Sequence, residues 1–185
     1  MSLIVKSHRA SIDSLSKAYP DAVILDVTSR ASEPWIRFSP FYPHGGIPVP
    51  FSPGKFSMTV EGIWQGLKVF ETTDVDASKL LISNMKGIKR SARKYGKVLG
   101  HRTGLVGDRL LSYGEARRQI YLPSYQWMLD NHVQDLLNEL KYLGTDKTKT
   151  VVLLDYETNC DVDNLSRPLS HAGLIKLYLE GNWPT

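Results

Sequence analysis

Glu61 stands in the stretch T-V-E-G-I-W-Q-G-L-K (residues 59–68), directly after a segment dense in proline and glycine. A carboxylate in the first turn of a helix faces the positive end of the helix dipole, which favours its ionised form. Its neighbours Ile63 and Trp64 belong to an apolar stripe, and loss of water there pushes the pKa the other way. A carboxylate so placed can activate a water or stabilise a developing oxocarbenium ion. The competing reading is a surface glutamate that merely complements the dipole. Trp35, Phe38, Phe41, Tyr42 and Trp64 flank the same loop. Flat rings beside polar groups suit stacking of a base or flavin-like ring, although any one of them alone fits a core. Asp155 ends an apolar run, where strand-to-loop residues commonly do chemistry, and Glu157, Asp161 and Asp163 follow it. That segment lacks the glycine and final glutamate of a calcium loop, so it reads as a solvated acidic loop. Of Arg117 and Arg118, one is expected to face solvent and the other to hold a phosphate with its bidentate fork. His171, after Ser170 near a helix start, reads as a core or capping histidine.

Other chemistries lose support. The chain contains no G-x-G-x-x-G, no G-x-x-x-x-G-K-[ST] and no G-x-S-x-G. Its five histidines show no H-x-x-x-H or H-E-x-x-H spacing, so a zinc site is not expected. The one cysteine, Cys160, excludes an intrachain disulfide and fits a reducing, cytoplasmic setting. No apolar run approaches a membrane span, and Met1–Ala10 has no apolar region of the secretory type, so no membrane partner is expected. The net charge is +4 and unevenly placed. Lys86, Lys89, Arg90, Arg93, Lys94, Lys97, Arg102 and Arg109 face one acid, Asp108, which favours an anionic partner or, more plainly, a solvated helix face.

The elements that would position these residues follow from pattern. Ala22–Val27 (AVILDV) predicts a buried strand and Trp35–Phe38 (WIRF) a short alternating one. Ser39–Lys55 holds five prolines and three glycines, which excludes a helix; its apolar side chains make it an ordered, site-building loop. Thr59–Phe70 predicts a helix with Thr59 as N-cap and a stripe of Val60, Ile63, Trp64, Leu67 and Phe70. Asp76–Met85 predicts a second helix and Lys86–Tyr95 a basic third segment. Gly100–Gly107 reads as a loop, Tyr113–Tyr121 as a helix interrupted by Pro123, and Ser124–Tyr142 as a long amphipathic helix stopped at Gly144. Thr150–Leu154 predicts a buried strand and Leu169–Leu179 a last helix. The expected class is α+β, mostly helical with a few short strands, in a single domain. Residues 1–34 form a strand-containing N-terminal extension to a core of residues 35–180.

Residues 38–70 resemble the NADAR family segment F-S-N-F-Y-P, then a variable stretch, then T-V-E-H-Y-[FY]-Q-x-x-K. Ser39, Phe41, Tyr42 and Pro43 fit the first half, and Thr59, Val60, Glu61, Gln65 and Lys68 fit the second. Ala116–Leu137 is similar to a later V-R-x-x-V-M … Q-N-x-x-L stretch in which Arg117 takes the arginine position. Pro40 and Gly62 depart from the family's Asn and His, and Asp155–Ser166 stands where the family carries D-x-x-W-G. The resemblance implies cofactor-free N-glycosidase activity on a phosphorylated ribosyl or ADP-ribosyl small molecule or on ADP-ribosylated nucleic acid. In it Glu61 is the catalytic carboxylate; Asp155 or Asp161, in the segment that replaces the family's D-x-x-W-G, is taken as the second acid, with Asp155 preferred. Phe41, Tyr42 and Trp64 line the ring pocket, while Lys68, Arg90 and Arg117 meet phosphate. The alternatives are a non-catalytic module binding ADP-ribose-like groups or nucleic acid through the basic run, and an interaction protein using the long helix. Sequence leaves oligomeric state open.

Overall fold

A computed structural model describes residues 2–146 and 149–184. In chain order the elements are β1 (Ser2–Ser7), α1 (Ile12–Ala18), β2 (Val23–Asp26), a 3-10 turn at Trp35–Phe38, β3 (Ile47–Pro48), β4 (Phe56–Ser57), α2 (Val60–Gly66) and β5 (Lys68–Phe70). A second 3-10 turn at Ala77–Leu81 leads to α3 (Ala92–Tyr95), β6 (Val98–Arg102), β7 (Leu110–Leu111) and α4 (Tyr113–Ala116). A π turn at Arg117–Tyr121 then joins α5 (Leu122–His132), followed by α6 (Gln134–Leu143), β8 (Thr150–Asp155) and α7 (His171–Leu179). The architecture is α+β, with several helices and three small sheets. No helix of the described residues is long and apolar enough to cross a membrane.

The chain forms two compact units. One comprises the residues up to Ser39 together with those from Val133 onward; the other is Pro40–His132. The first is built on a parallel sheet in the order β1-β8-β2. Because strand side chains alternate, Val152 and Leu154 share a face with Ile4 and Ile24, and Leu15 of α1 packs on it. Asp155 points to the other face, where α7 lies against β1 and β8. The division expected from sequence therefore changes. Residues 1–34 are no extension, since β1 and β2 flank β8 on either side and complete its hydrogen bonding. β2 is correspondingly a half-buried edge strand, and the buried one is β8.

The second unit carries the antiparallel sheet β5-β6-β7, the β3–β4 hairpin and one long helical run from Tyr113 to His132. Pro123 does not interrupt that run: the widened π turn, in which the Leu122 amide donates to the Arg117 carbonyl, absorbs it. The run stops at Val133 (φ −130°, ψ 25°), so the expected helix Ser124–Tyr142 is two helices. The expected strand Trp35–Phe38 is a 3-10 turn, because Trp35 and Phe38, three residues apart, stack with centroids 6.2 Å apart. The helix from Thr59 ends at Gly66, a weak helix former, and Lys68–Phe70 is claimed by β6. Asp76–Met85 holds only the 3-10 turn Ala77–Leu81, Lys86–Tyr95 only the one-turn helix α3, and part of Gly100–Gly107 lies in β6. Thr59 does cap α2, accepting the Gly62 amide at 2.7 Å. The proline-rich segment packs down through Ile47 and Val49 as expected.

Candidate functional site

The second unit gathers most of the predicted site residues on α2, the hairpin loop before it and the sheet after it. Glu61 sits in the first turn of α2 and is 8 % exposed. Its amide donates to the Pro40 carbonyl at 2.8 Å, which ties the helix start to the proline-rich loop. Among the described residues, its carboxylate accepts one side-chain hydrogen bond, from Gln65 Nε2 at 2.8 Å. Gln65 is fixed in turn because its Oε1 accepts the Arg90 amide at 3.0 Å. Burial pushes the Glu61 pKa up more than Gln65, Lys68 and Lys89 pull it down. Burial pushes Lys68 in the opposite sense, below the usual lysine range, with the Glu61 charge opposing and the Arg90 and Lys89 charges adding.

Trp64, one turn after Glu61, is braced by rings. His101 of β6 lies 3.8 Å from it between centroids, and Tyr113 and Tyr121 meet it edge-on at 6.0 and 5.7 Å. Lys68 Nζ stands 5.6 Å from the Trp64 ring and Lys89 Nζ 5.2 Å from the Phe41 ring, so both cations that act on Glu61 also lie over aromatic faces. His101 is buried. Its pKa is lowered to about 3 by burial and then by the Lys68 charge; the Trp64 main chain opposes this slightly but reaches hydrogen-bond geometry with neither ring nitrogen. Among the described residues those two nitrogens have no partner.

Tyr42 belongs to another row of rings: it packs on His44 at 4.8 Å, His44 stacks on His132, and His132 meets Trp127. Arg117 is the buried one of the two adjacent arginines. It donates to the Tyr113 hydroxyl at 3.0 Å and lies 4.8 Å from that ring, next to the Trp64 wall.

Two predicted roles need correction. Arg90 does not face a ligand. Its guanidinium donates to the carbonyls of Gln65, Lys68 and Asp74 and to the Thr73 hydroxyl, between the rings of Phe70 and Tyr95. An arginine so committed and only 6 % exposed holds α2 to β5 and cannot meet phosphate without leaving those carbonyls bare. Asp155 lies in the first unit and its lone pairs are taken. It accepts from the Ser170 hydroxyl (2.7 Å), the Ala172 amide (3.3 Å), the Tyr156 amide (2.7 Å) and His171 Nδ1 (3.1 Å). Burial alone would raise its pKa, but the His171 charge and these hydrogen bonds bring it to about 2, so it has no proton to give at neutral pH. His171 Nε2 meets the Val27 carbonyl at 2.7 Å. A carbonyl and a carboxylate both accept, so His171 is the imidazolium, the buried histidine expected from sequence. Among the described residues no three His, Cys, Asp or Glu side chains gather as a metal site.

Sequence reasoning missed Gln65 as the group that orients Glu61, and His101, Tyr113 and Tyr121 as the brace of Trp64. Only Gln65 left a signal, four residues after Glu61 on one helix face.

A family model described as "Family of unknown function (DUF6939)" matches residues 7–175, and the chain belongs to that family. No curated protein and no solved structure matches it.

Proposed function

We propose, for this member of a family of unknown function, that the Glu61 site hydrolyses an N-glycosidic bond between a ribosyl carbon and a nucleobase-like ring. The observation that carries this reading is a buried carboxylate, oriented by Gln65, raised in pKa and attended by two lysines beside a braced tryptophan. The resemblance of residues 38–70 to the NADAR segment supports the same assignment. The leaving ring stacks near Trp64 and Phe41. As the C–N bond lengthens, its electron pair moves to the ring nitrogen and positive charge grows on the ribosyl carbon, which the Glu61 carboxylate stabilises. A water adds to that carbon and gives its proton to Glu61. Lys68, whose pKa burial lowers, takes the role expected of Asp155 and protonates the ring nitrogen. Lys89, exposed beside the Phe41 ring, supplies positive charge for a phosphorylated ribosyl or ADP-ribosyl group, and Arg117, only 2 % exposed, contributes its charge without touching the phosphate.

The departure at Gly62 has a local reason. A Cβ there would stand 2.7 Å from the Lys79 carbonyl oxygen and 2.8 Å from Thr59 Oγ1, so a histidine does not fit this packing. The test is product analysis by mass spectrometry after incubation with ADP-ribosylated guanine DNA and with a ribosylamino-pyrimidine phosphate. Wild type should release the free ring, Glu61→Gln should be slower by about a thousandfold, and Trp64→Ala should raise KM more than it lowers kcat. Full activity in Glu61→Gln would overturn the mechanism.

The exposed basic run of Lys86, Lys89, Arg93, Lys94 and Lys97 favours a second reading, a non-catalytic module for nucleic acid. It predicts no turnover and an affinity that falls by about one log-log unit per neutralised phosphate as salt rises. Salt-insensitive binding would exclude it.

A further inference from the structure

The first unit carries a second concentration of titratable groups, which the Glu61 site does not use. In open sheets of parallel strands, ligands settle outside the carboxyl ends of the strands. Here those ends bring together His8 after β1, Asp26 at the end of β2, and Asp155 and Tyr156 at the end of β8. The ladder continues past the strands, for the His8 amide donates to the Asp155 carbonyl at 2.8 Å and the Val27 amide to the Leu154 carbonyl at 3.2 Å.

Two His–Asp pairs occupy this edge, one buried and one open. The buried pair is His171–Asp155. The open pair is His8–Asp26, in which Nε2 donates to Oδ2 at 3.1 Å with the side chains 35 % and 30 % exposed. Asp26 is fixed because its Oδ1 accepts the Thr28 amide at 2.8 Å, so the imidazole it holds is oriented as well. The Tyr156 ring, itself exposed, lies 5.1 Å from the His8 ring. Among the described residues His8 Nδ1 has no hydrogen-bond partner.

We propose that this edge binds a neutral ring bearing hydroxyl groups, a sugar. The apolar face of the ring lies on Tyr156, one hydroxyl donates to His8 Nδ1 and its neighbour donates to the Asp26 carboxylate. Three properties of the edge point to that class. An aromatic face with adjacent acceptors matches a polyol, whose C–H face and hydroxyls are presented together. The Asp26 carboxylate lies beside the site and disfavours an anion there. The two acceptors are held in place before binding, which lowers the ordering cost. Arg9 and Arg30 are exposed in the adjoining loops and pull toward an anion instead, so phosphate is the competing probe.

The full chain, isotopically labelled, would be titrated with methyl β-D-glucopyranoside, D-ribose and inorganic phosphate while the ring signals of His8 and Tyr156 are followed by NMR. The expected result is a saturable shift of both rings with at least one sugar, in the millimolar range. Tyr156→Ala and His8→Gln should each weaken it about tenfold, with the buried His171 signals unmoved as the check on folding. Glu61→Gln should leave the titration unchanged, which separates this site from the proposed glycosidase. No saturable shift with either sugar would overturn the proposal, as would a tighter response to phosphate or an undiminished response in Tyr156→Ala.

Discussion

Helices α2 and α7 start on the same plan and end with opposite electrostatics. In T-V-E-G and S-H-A-G alike, a hydroxyl N-cap accepts the amide of a glycine three residues on, at 2.7 Å for Thr59 and 3.1 Å for Ser170. In each, that glycine admits a close neighbour: a Cβ at 62 would meet the Lys79 carbonyl at 2.7 Å, and one at 173 would meet Cys160 Sγ at 2.6 Å. The charges differ. α7 carries a cation, His171, at the positive end of its dipole, an unfavourable place that Asp155 neutralises from the neighbouring strand. α2 carries its own carboxylate where the dipole favours it, yet burial outweighs Gln65 and the two lysines, and the pKa rises. The α7 start is saturated with partners. The α2 site keeps a desolvated Glu61, a depressed Lys68 and a histidine, His101, with no hydrogen-bond partner among the described residues. Environments that push titratable groups apart without satisfying them are the mark of a reactive site, whereas a satisfied buried pair is a structural one.

Breaking the α7 node should have the largest effect. Asp155→Ala strands a buried imidazolium and should cost about 3–5 kcal/mol in urea unfolding. Glu61→Gln keeps a group that Gln65 can hydrogen-bond and should stay within about 1 kcal/mol of wild type. Equal losses at the two positions would erase the contrast. Its pH signature is bounded on both sides. Asp155, held to about 2 against an ordinary 3.8, adds stability that is complete above 3.8 and fades as pH falls toward 2. His171, raised above its ordinary 6.5, adds stability that is complete below 6.5 and fades as pH climbs through its raised value. Wild type should therefore exceed Asp155→Ala by most between about pH 4 and 6.5.

The glycines come next. Gly62→Ala and Gly173→Ala should each cost about 1–3 kcal/mol. Gly62→Ala should cost more, because a main-chain carbonyl and two hydroxyls crowd its Cβ, whereas the atoms nearest the Gly173 Cβ belong to Cys160 of an acidic loop. The reverse order, measured by thermal unfolding, would mean that the α2 start is the looser of the two.

What the sequence revealed and concealed follows the same division between local and distant causes. The α2 cap, the stripe of Val60 and Ile63 and the placement of Glu61 depend on residues within one or two turns, and they were legible. So were β8, a continuous apolar run, and α7, apart from its Ser170 cap. The end of α2 was not, because Lys68–Phe70 continue its period but are captured by β6 about thirty residues on. The break at Val133 was equally hidden, since Met128, Leu136, Leu137 and Leu140 keep a helical spacing across it. β1 escaped notice because its partner, β8, lies at the other end of the chain. Within the site, Glu61 was visible while its brace of His101, Tyr113 and Tyr121 was not, because those rings reach Trp64 only through the fold. Arg90 looked like a phosphate ligand by its charge and proved to be a clamp by its surroundings.

The smallest expected effect bears most directly on Glu61. A carboxyl whose pKa is raised on folding adds stability that is complete below its ordinary 4.5 and is lost as pH rises through the raised value. Glutamine does not titrate. Wild type should therefore lose ground to Glu61→Gln as pH rises above about 4.5, the opposite slope to that of Asp155 in acid. Lys68 loses its counter-charge in the single variant, so the same comparison belongs in a Lys68→Met background, where only Glu61 titrates between the two proteins. A flat difference in that background would mean that water reaches Glu61 freely, and the proposed reactive role of this carboxylate would lose its electrostatic support.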